Sequence, residues 1–286
     1  MVRLTILGSG SSGNCAVIST ERTTLLLDAG LSAKQICLRL EACGFSLDML
    51  DGILLTHEHQ DHTGGIQVLS RKRQIPLFCT PLTQETLISN LGISMNAPWR
   101  LMSSGGAFEF QDLRIESFSV PHDAVDPVGF VVADEESRLG VLSDVGFVTN
   151  LIKDRLRNSD SLFIEANYDT QLLENDTKRP WSTKQRISSR HGHLSNEQAA
   201  ELVREVAHEG LSHVVLGHLS DDCNDPVLAA KYIRQALDSA GAKDARVTCA
   251  ERHKPTATIE VVRRRKSTTV SFCFSTADES GQLALF

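Results

Sequence analysis

Long apolar runs are missing from this sequence. No stretch approaches the ~18 residues a bilayer-spanning helix needs. Only four residues separate Arg3 from Gly8, too few for the core of a signal peptide, so the N-terminus reads as a first strand. Cysteine is sparse and unpatterned. The seven residues, at 15, 37, 43, 79, 223, 249 and 273, form no C-x-x-C pair and are odd in number. That argues against a disulfide framework or a zinc–thiolate site and fits reduced thiols in a soluble, cytoplasmic protein. Positive charge is not in excess either: 29 Lys and Arg against 36 Asp and Glu leave a net charge of −7. A protein that coats nucleic acid by charge alone is thereby disfavoured, while an enzyme gripping a few phosphates is not. With 41% hydrophobic residues in 286, the chain has enough apolar material to fold without staples.

Strand and helix signals alternate along the chain. Val2–Leu7, Cys15–Ser19 and Thr23–Asp28 read as short strands, and Ser32–Cys43 as an amphipathic helix stopped by Gly44. Leu50–Thr56 is a buried strand, Gly64–Arg73 a helix, Pro76–Cys79 a strand and Leu82–Asn90 a helix. From about Trp99 to Ser143 strands follow one another. Leu151–Leu156, Asn196–Ala207 (capped by Ser195) and Val227–Ala240 then read as helices between strands at Ser161–Glu165, His213–Leu216 and Arg246–Cys249. Thr258–Val262 and Thr269–Phe274 are the expected last strands. Mixed strands and helices of this kind suggest two sheets covered by helices. Residues 1–274 are expected to form one domain and 275–286 a flexible tail.

His57-Glu58-His59-Gln60-Asp61-His62 follows an apolar strand. Composition alone produces such a run in roughly one chain per thousand, so a chance His-rich loop is disfavoured. Neutral imidazole and carboxylate suit Zn²⁺, Mn²⁺ or Fe²⁺. A tight turn can aim His57 and His59 to one side and Asp61 and His62 to the other, giving places for two ions. Asp28, His122, Asp144 and His218 each sit just after an apolar run, where loops carry sites.

In this order, Asp28, the H-x-H-x-D-H run, His122, Asp144 and His218 resemble the motif series of the metallo-β-lactamase fold. Phe163-Ile164-Glu165-Ala166, Gly192-His193-Leu194-Ser195 and Leu216-Gly217-His218-Leu219-Ser220 resemble the later motifs of ribonuclease Z-like enzymes. The whole is similar to the YycJ-type branch, whose members are thought to be DNA exonucleases. The resemblance implies an α/β (α+β) four-layer αββα sandwich with its site at one edge between the sheets. It implies that His57, His59 and His122 hold one ion, that Asp61, His62 and His218 hold another, that Asp144 bridges them, and that Asp28 orients the histidine loop. Ser143-Asp144 stands where some true β-lactamases have a cysteine, which favours phosphodiester work over lactam opening.

Two ions can activate a water held between them and clamp both oxygens of an in-line displacement at phosphorus. Asp61 would be both ligand and catalytic residue. His193, oriented by Glu165, suits a general acid for the leaving oxygen, with a helix-capping histidine and a strand-end salt bridge as the plainer alternatives. The Gly8–Asn14 loop either presents Ser11 and Ser12 to a phosphate or is a tight strand connection. Arg186 and Arg190 lie a few residues before His193 and are candidates for backbone contact. The expected function is a two-metal DNA exonuclease of replication or repair, acting from 5′ ends. A ribonuclease, an ester, thioester or lactam hydrolase, or a clamp-binding protein with a non-catalytic metal site are the alternatives.

The C-terminus carries a last signal. Gln282-Leu283-Ala284-Leu285-Phe286 resembles the peptide by which bacterial repair and replication proteins dock on the DNA sliding clamp. A polar tether ending in apolar anchors at Leu283, Leu285 and Phe286 suits a groove on a partner. A tail folded back on its own core is the alternative.

Overall fold

The structure, a computed structural model, describes residues 1–263. Among them fourteen strands form two seven-stranded sheets. In the first, β1 (Arg3–Gly8), β2 (Cys15–Ser19) and β3 (Thr24–Leu27) run antiparallel. β4 (Gly52–Leu54), β5 (Leu77–Cys79) and β6 (Trp99–Leu101) extend that sheet in parallel. Parallel neighbours need helical crossovers. These are α1 (Ala33–Ala42), the short α2 (Gln60–Thr63) with α3 (Ile66–Lys72), and α4 (Pro81–Leu91).

The second sheet opens with an antiparallel run of β7 (Ala107–Phe110), β8 (Leu113–Ser119), β9 (Val128–Ala133) and β10 (Arg138–Leu142). It closes with parallel β11 (Ser161–Glu165), β12 (His213–Gly217) and β13 (Arg246–Cys249). Between these lie α5 (Asn150–Leu156), α6 (Thr170–Asn175), α7 (Trp181–Ile187), α8 (Asn196–Val206) and α9 (Pro226–Ser239). β14 (Ile259–Glu260) returns to the first sheet, pairing with β1.

Strand periodicity sorts the core into three layers. Leu25 and Leu27 of β3, Val141 of β10, Phe163 of β11 and Val215 of β12 pack between the sheets with Phe130. Their alternates face the helices: Leu26 joins Ile36 and Leu40 of α1, while Ile164, Val214 and Leu216 join Ala199 and Val203 of α8 and Ile233 of α9. Strands buried on both faces read as unbroken apolar runs, which is why they are visible in the sequence. The layering is αββα. Ser195 and Gln198 complete a reciprocal capping box at α8, and Asp225 with Pro226 starts α9.

Two segments are newly placed and one expected boundary is corrected. The Trp99 segment forms the parallel edge strand of the first sheet. The stretch between Glu165 and Ser195, given no element from the sequence, holds α6 and α7. Among the described residues the last paired strand is Ile259–Glu260, shorter than the expected Thr258–Val262; Thr256 and Thr258 reach Ile6 and Thr5 by hydroxyl contacts. The strand expected at Thr269–Phe274, the 275–286 tail and the peptide Gln282, Leu283, Leu285 and Phe286 lie outside the described residues.

Candidate metal centre

Strand ends converge on one edge of the sandwich. Asp28 follows β3, the His57–His62 loop follows β4, and His122 follows β8. Asp144 follows β10, Glu165 ends β11 and His218 follows β12. Asp28 (φ 57°), Asp144 (φ 53°) and His218 (φ 53°) all adopt the left-handed conformation. Non-glycine residues avoid that region, and they persist there only where surrounding contacts over-determine them. The turn swings each side chain from the strand axis into the space between the loops.

Three donor groups result, and the third, of Asp144, Glu165, His193 and His218, overlaps the second. His57, His59 and His122 offer nitrogen atoms that lie within 4.8 Å of one another, and Asp61, His62, Asp144 and His218 form a second group by the same measure. Asp144 links them. Its Oδ2 lies 3.0 Å from His62 Nε2, and its Oδ1 lies 3.1 Å from His218 Nδ1 and 3.8 Å from His122 Nε2. Asp61 Oδ2 is 3.6 Å from His218 Nε2 and 3.7 Å from His62 Nε2.

The residues fit metal ions on a specific observation. His57 Nε2 and His122 Nε2 are buried with no hydrogen-bond partner. Their other ring nitrogens are engaged: His57 Nδ1 with Thr56 Oγ1 at 3.0 Å, and His122 Nδ1 with the Gly192 carbonyl at 3.0 Å. Donation by His122 Nδ1–H to that carbonyl leaves a bare lone pair on Nε2, the arrangement of a ligating imidazole. Burying an unpaired polar atom costs about 1–3 kcal/mol unless something meets it. With imidazole and carboxylate donors and no thiolate, the clusters are consistent with a binuclear site for borderline divalent ions.

Electrostatics sort the imidazoles. Burial first, then the neighbouring His62, hold His57 well below the ordinary histidine range. Burial lowers His122 as well, against the pull of Asp144. His62 goes the other way. Burial opposes its charge, but Asp144 and Asp28 outweigh it and raise the group well above its usual value. Burial also opposes the charge on Asp144, yet His218 and His62 hold that carboxyl well below the usual range.

Asp28 lies behind the loop. Its Oδ2 takes His62 Nδ1 at 2.7 Å and its Oδ1 takes the Thr56 amide at 2.9 Å, fixing the ring that faces Asp144. Glu165 is buried beside Asp144. Its Oε2 accepts from the Asp144 amide at 2.6 Å and lies 3.2 Å from His193 Nδ1, and its Oε1 accepts from the Leu194 amide at 2.6 Å. Burial disfavours charge on His193, yet Glu165 and Asp144 push it up to about 9.

The remaining residues named from the sequence are placed less centrally. Ser12 accepts a hydrogen bond from Arg252, and Ser11 is exposed. Arg186 Nε donates to Asp123 Oδ2 at 2.6 Å, and the Arg190 guanidinium sits 4.2 Å over the Phe147 ring. Sequence reading missed four participants. Asn14 Nδ2 is 3.1 Å from His62 Nε2, Ser9 Oγ accepts from the His218 amide at 2.8 Å, and Asn167 Nδ2 donates to the His218 carbonyl at 2.8 Å. Asp123 Oδ1 lies 3.3 Å from His122 Nε2. The one sequence signal for any of them was position: Asp123 adjoins His122, and Asn14 ends the glycine-rich loop.

Two helix-covered sheets with paired His and Asp clusters on one edge define a metal-dependent hydrolase. The β-lactamase superfamily domain matches residues 23–219, more than half of the chain, and the chain belongs to that superfamily. Within it, the chain is 34% identical over 243 residues to exodeoxyribonuclease YycJ of Bacillus anthracis, covering 84% of this chain and 90% of that protein. It is 37% identical over 229 residues to exodeoxyribonuclease WalJ of Streptococcus pneumoniae, covering 79% and 85%. Zn²⁺-bound PqqB from Methylobacterium extorquens shares the fold, with a TM-score of 0.68 over 90% of this chain and 99% of its own at 18% identity. Among the described residues, no helix is long and apolar enough to cross a membrane.

Proposed function

We propose that the protein is a two-metal DNA exonuclease that removes nucleotides from 5′ ends. The observation that carries this reading is the Glu165–His193 pair set beside the Asp144-linked clusters, in a chain homologous to two exodeoxyribonucleases along about four fifths of its length. His57, His59 and His122 would hold one ion and Asp61, His62 and His218 the other, with Asp144 reaching both. When bound, such ions supply Lewis-acid charge at the phosphoryl oxygens and lower the pKa of a coordinated water.

The chain's own residues do the rest. Asp28 and Asn14 hold His62 in one orientation. Glu165 accepts from His193 Nδ1, so the other ring nitrogen is the one left to protonate a leaving oxygen. In the metal-free chain burial opposes the charge on His193, but Glu165 and Asp144 outweigh it and push the group up to about 9, which favours the protonated ring. A phosphodiester needs such an acid, because its leaving alkoxide is a strong base; a thioester or activated ester, with a weaker base to expel, needs it less. This favours a nucleic acid over the small-molecule alternative, and the exodeoxyribonuclease relatives favour DNA over RNA. Arg186, exposed at the mouth, would meet a phosphate of the strand. The ions fitting this donor set are Zn²⁺, Mn²⁺ or Fe²⁺.

The C-terminal Gln282-Leu283-Ala284-Leu285-Phe286 peptide supports a second part of the proposal on sequence alone: docking on the DNA sliding clamp, which would raise the local concentration of substrate. Deleting residues 282–286 should abolish co-elution with purified clamp and leave digestion of free oligonucleotides intact. The central test is digestion of end-labelled single- and double-stranded DNA in Mn²⁺ and in Zn²⁺, beside Asp61→Ala. Progressive loss from the 5′ end that disappears in the variant is the expected result. Turnover of a generic ester or lactam with no DNA cleavage would place the protein among the small-molecule hydrolases instead.

A further inference from the structure

Residues 177–196 contain five Lys and Arg side chains and no Asp or Glu, in a chain of net charge −7. This is the stretch that folds as α7 and leads into His193. At its start stands Trp181, 68% exposed, although large aromatics are normally covered. Behind the indole is a cavity of about 170 Å³ lined by Tyr168, Leu173, Lys184 and Gln185. Pockets for drug-sized ligands run ~300–1,000 Å³, so this one suits a single planar ring system.

The segment is fastened to the metal centre. Ile187 packs on Tyr168, Leu173 and Cys223. The His193 amide donates to the Ile187 carbonyl at 2.8 Å. The Gly192 carbonyl is the acceptor for His122 Nδ1 at 3.0 Å, and a Cβ on Gly192 would come within 2.2 Å of the Arg186 carbonyl. From the same helix Arg186 reaches Asp123 beside His122. One rigid element thus carries an uncovered aromatic face, a cation at the mouth of the site and the histidine of the Glu165 pair.

We infer that Trp181 and the cavity behind it form a stacking subsite for a base of single-stranded DNA, on the strand whose phosphate Arg186 meets beside the metal clusters. The inference rests on the nuclease reading above. Every base offers a π-face, so an aromatic platform with flanking cations binds single strands without reading sequence. A base held in a duplex is stacked and unavailable, so the subsite selects a frayed or unpaired end.

The chain has two tryptophans, and the other, Trp99, is half-buried with its Nε1 bonded to the Ser94 carbonyl at 3.1 Å. Trp99→Phe therefore leaves Trp181 as the sole indole reporter. Titrating chelator-treated Trp99→Phe protein with a single-stranded oligothymidine of about fifteen nucleotides should quench its fluorescence, and a blunt duplex should quench it less. In the otherwise native chain, Trp181→Ala should weaken binding of that oligonucleotide about tenfold or more, and Trp181→Phe should restore most of the loss. Unchanged thermal melting separates lost contact from lost folding. Cleavage of DNA by the metal-loaded protein, with no quenching and equal affinity in Trp181→Ala, would overturn the subsite and leave the nuclease reading standing. A change in sedimentation without a change in DNA affinity would assign Trp181 to self-association and overturn it too. Neither cleavage nor binding by the unmodified protein would overturn both.

Discussion

Glu165 grips His193 from behind: Oε2 lies 3.2 Å from the ring's Nδ1, while the neighbouring Leu194 amide donates to Oε1 at 2.6 Å. Both carboxylate oxygens are occupied, and Asp144's amide holds Oε2 from a third side. The carboxylate is therefore a fixed anchor, and its orientation sets that of the imidazole.

His193→Ala should lower kcat on DNA by roughly 10²–10⁴, the range general acids supply, and leave two metal ions per chain. Glu165→Gln should lower kcat as well: both oxygens of Glu165 accept, so the amide nitrogen must face either the Leu194 amide or the Asp144 amide, and the ring loses its anchor and the charge that stabilises it. Steady-state kinetics with metal analysis checks both. A His193→Ala enzyme as fast as the parent would remove the proton-donor role.

Much of this centre was legible because its ligands punctuate apolar strands. A carboxylate or histidine directly after Leu27 or Gly217 stands out against a buried run, and the same runs mark the strands. What stayed hidden depends on three-dimensional closure. Asn14 touches His62 across 48 residues, and Ser9 touches His218 across 209. Neither polar residue differs in sequence from those of any turn. α7 escaped because its exposed face, Trp181, Gln185 and Arg186, follows no apolar period. Its single half-buried apolar side chain, Ile187, is too little signal. The sheet of β6 could not be read, because a three-residue strand carries no mark of its partner.

Asp144 should govern metal stoichiometry. Its carboxylate lies 3.0 Å from His62, 3.1 Å from His218 and 3.8 Å from His122, so if it bridges two ions as proposed, Asp144→Ala removes a donor from each. Bound metal should fall from two ions per chain to one or fewer. A saturating ligand at 100 times its Kd stabilises by about 2.7 kcal/mol. Chelation should thus lower the melting temperature of the parent by several degrees and change the variant much less. Equal metal content in the two proteins would contradict the bridging position.

The chelator-treated protein should weaken in mild acid. His57 and His122 are held neutral in the fold, chiefly by burial, with pKa values below the 6.5 of an exposed histidine. Below pH 6.5 the unfolded chain binds protons there that the folded chain refuses, so stability falls as pH falls. Each fully neutral buried imidazole contributes a slope of up to about 1.4 kcal/mol per pH unit. His62 does not offset this: its raised pKa keeps it charged in the fold, and below 6.5 it is charged in both states. Denaturant midpoints at pH 7.5, 6.5 and 5.5 should drop across the last interval, and His57→Gln should flatten that drop. A parent protein with constant midpoints would show that the two rings are protonated in the fold.

Gly30 tests whether the ligand loop is held by close backbone packing. Its amide donates to the Asn14 carbonyl at 2.9 Å, and the Asn14 amide donates to the Asp61 carbonyl at 2.7 Å, so three loops share one stack. A Cβ on Gly30 would lie 1.6 Å from the Asp61 carbonyl oxygen, where rigid backbone must shift. Gly30→Ala should therefore displace Asp61, cut activity by at least tenfold and lower metal affinity. Gly44 is the control: its φ is +81°, but a Cβ there meets nothing within 4 Å. Gly44→Ala should cost about 1–2 kcal/mol of backbone strain alone and leave metal content and kcat unchanged. Melting curves and metal titrations of the two variants separate the cases, and a Gly30→Ala protein with parental metal affinity would show that the stack can open without moving Asp61.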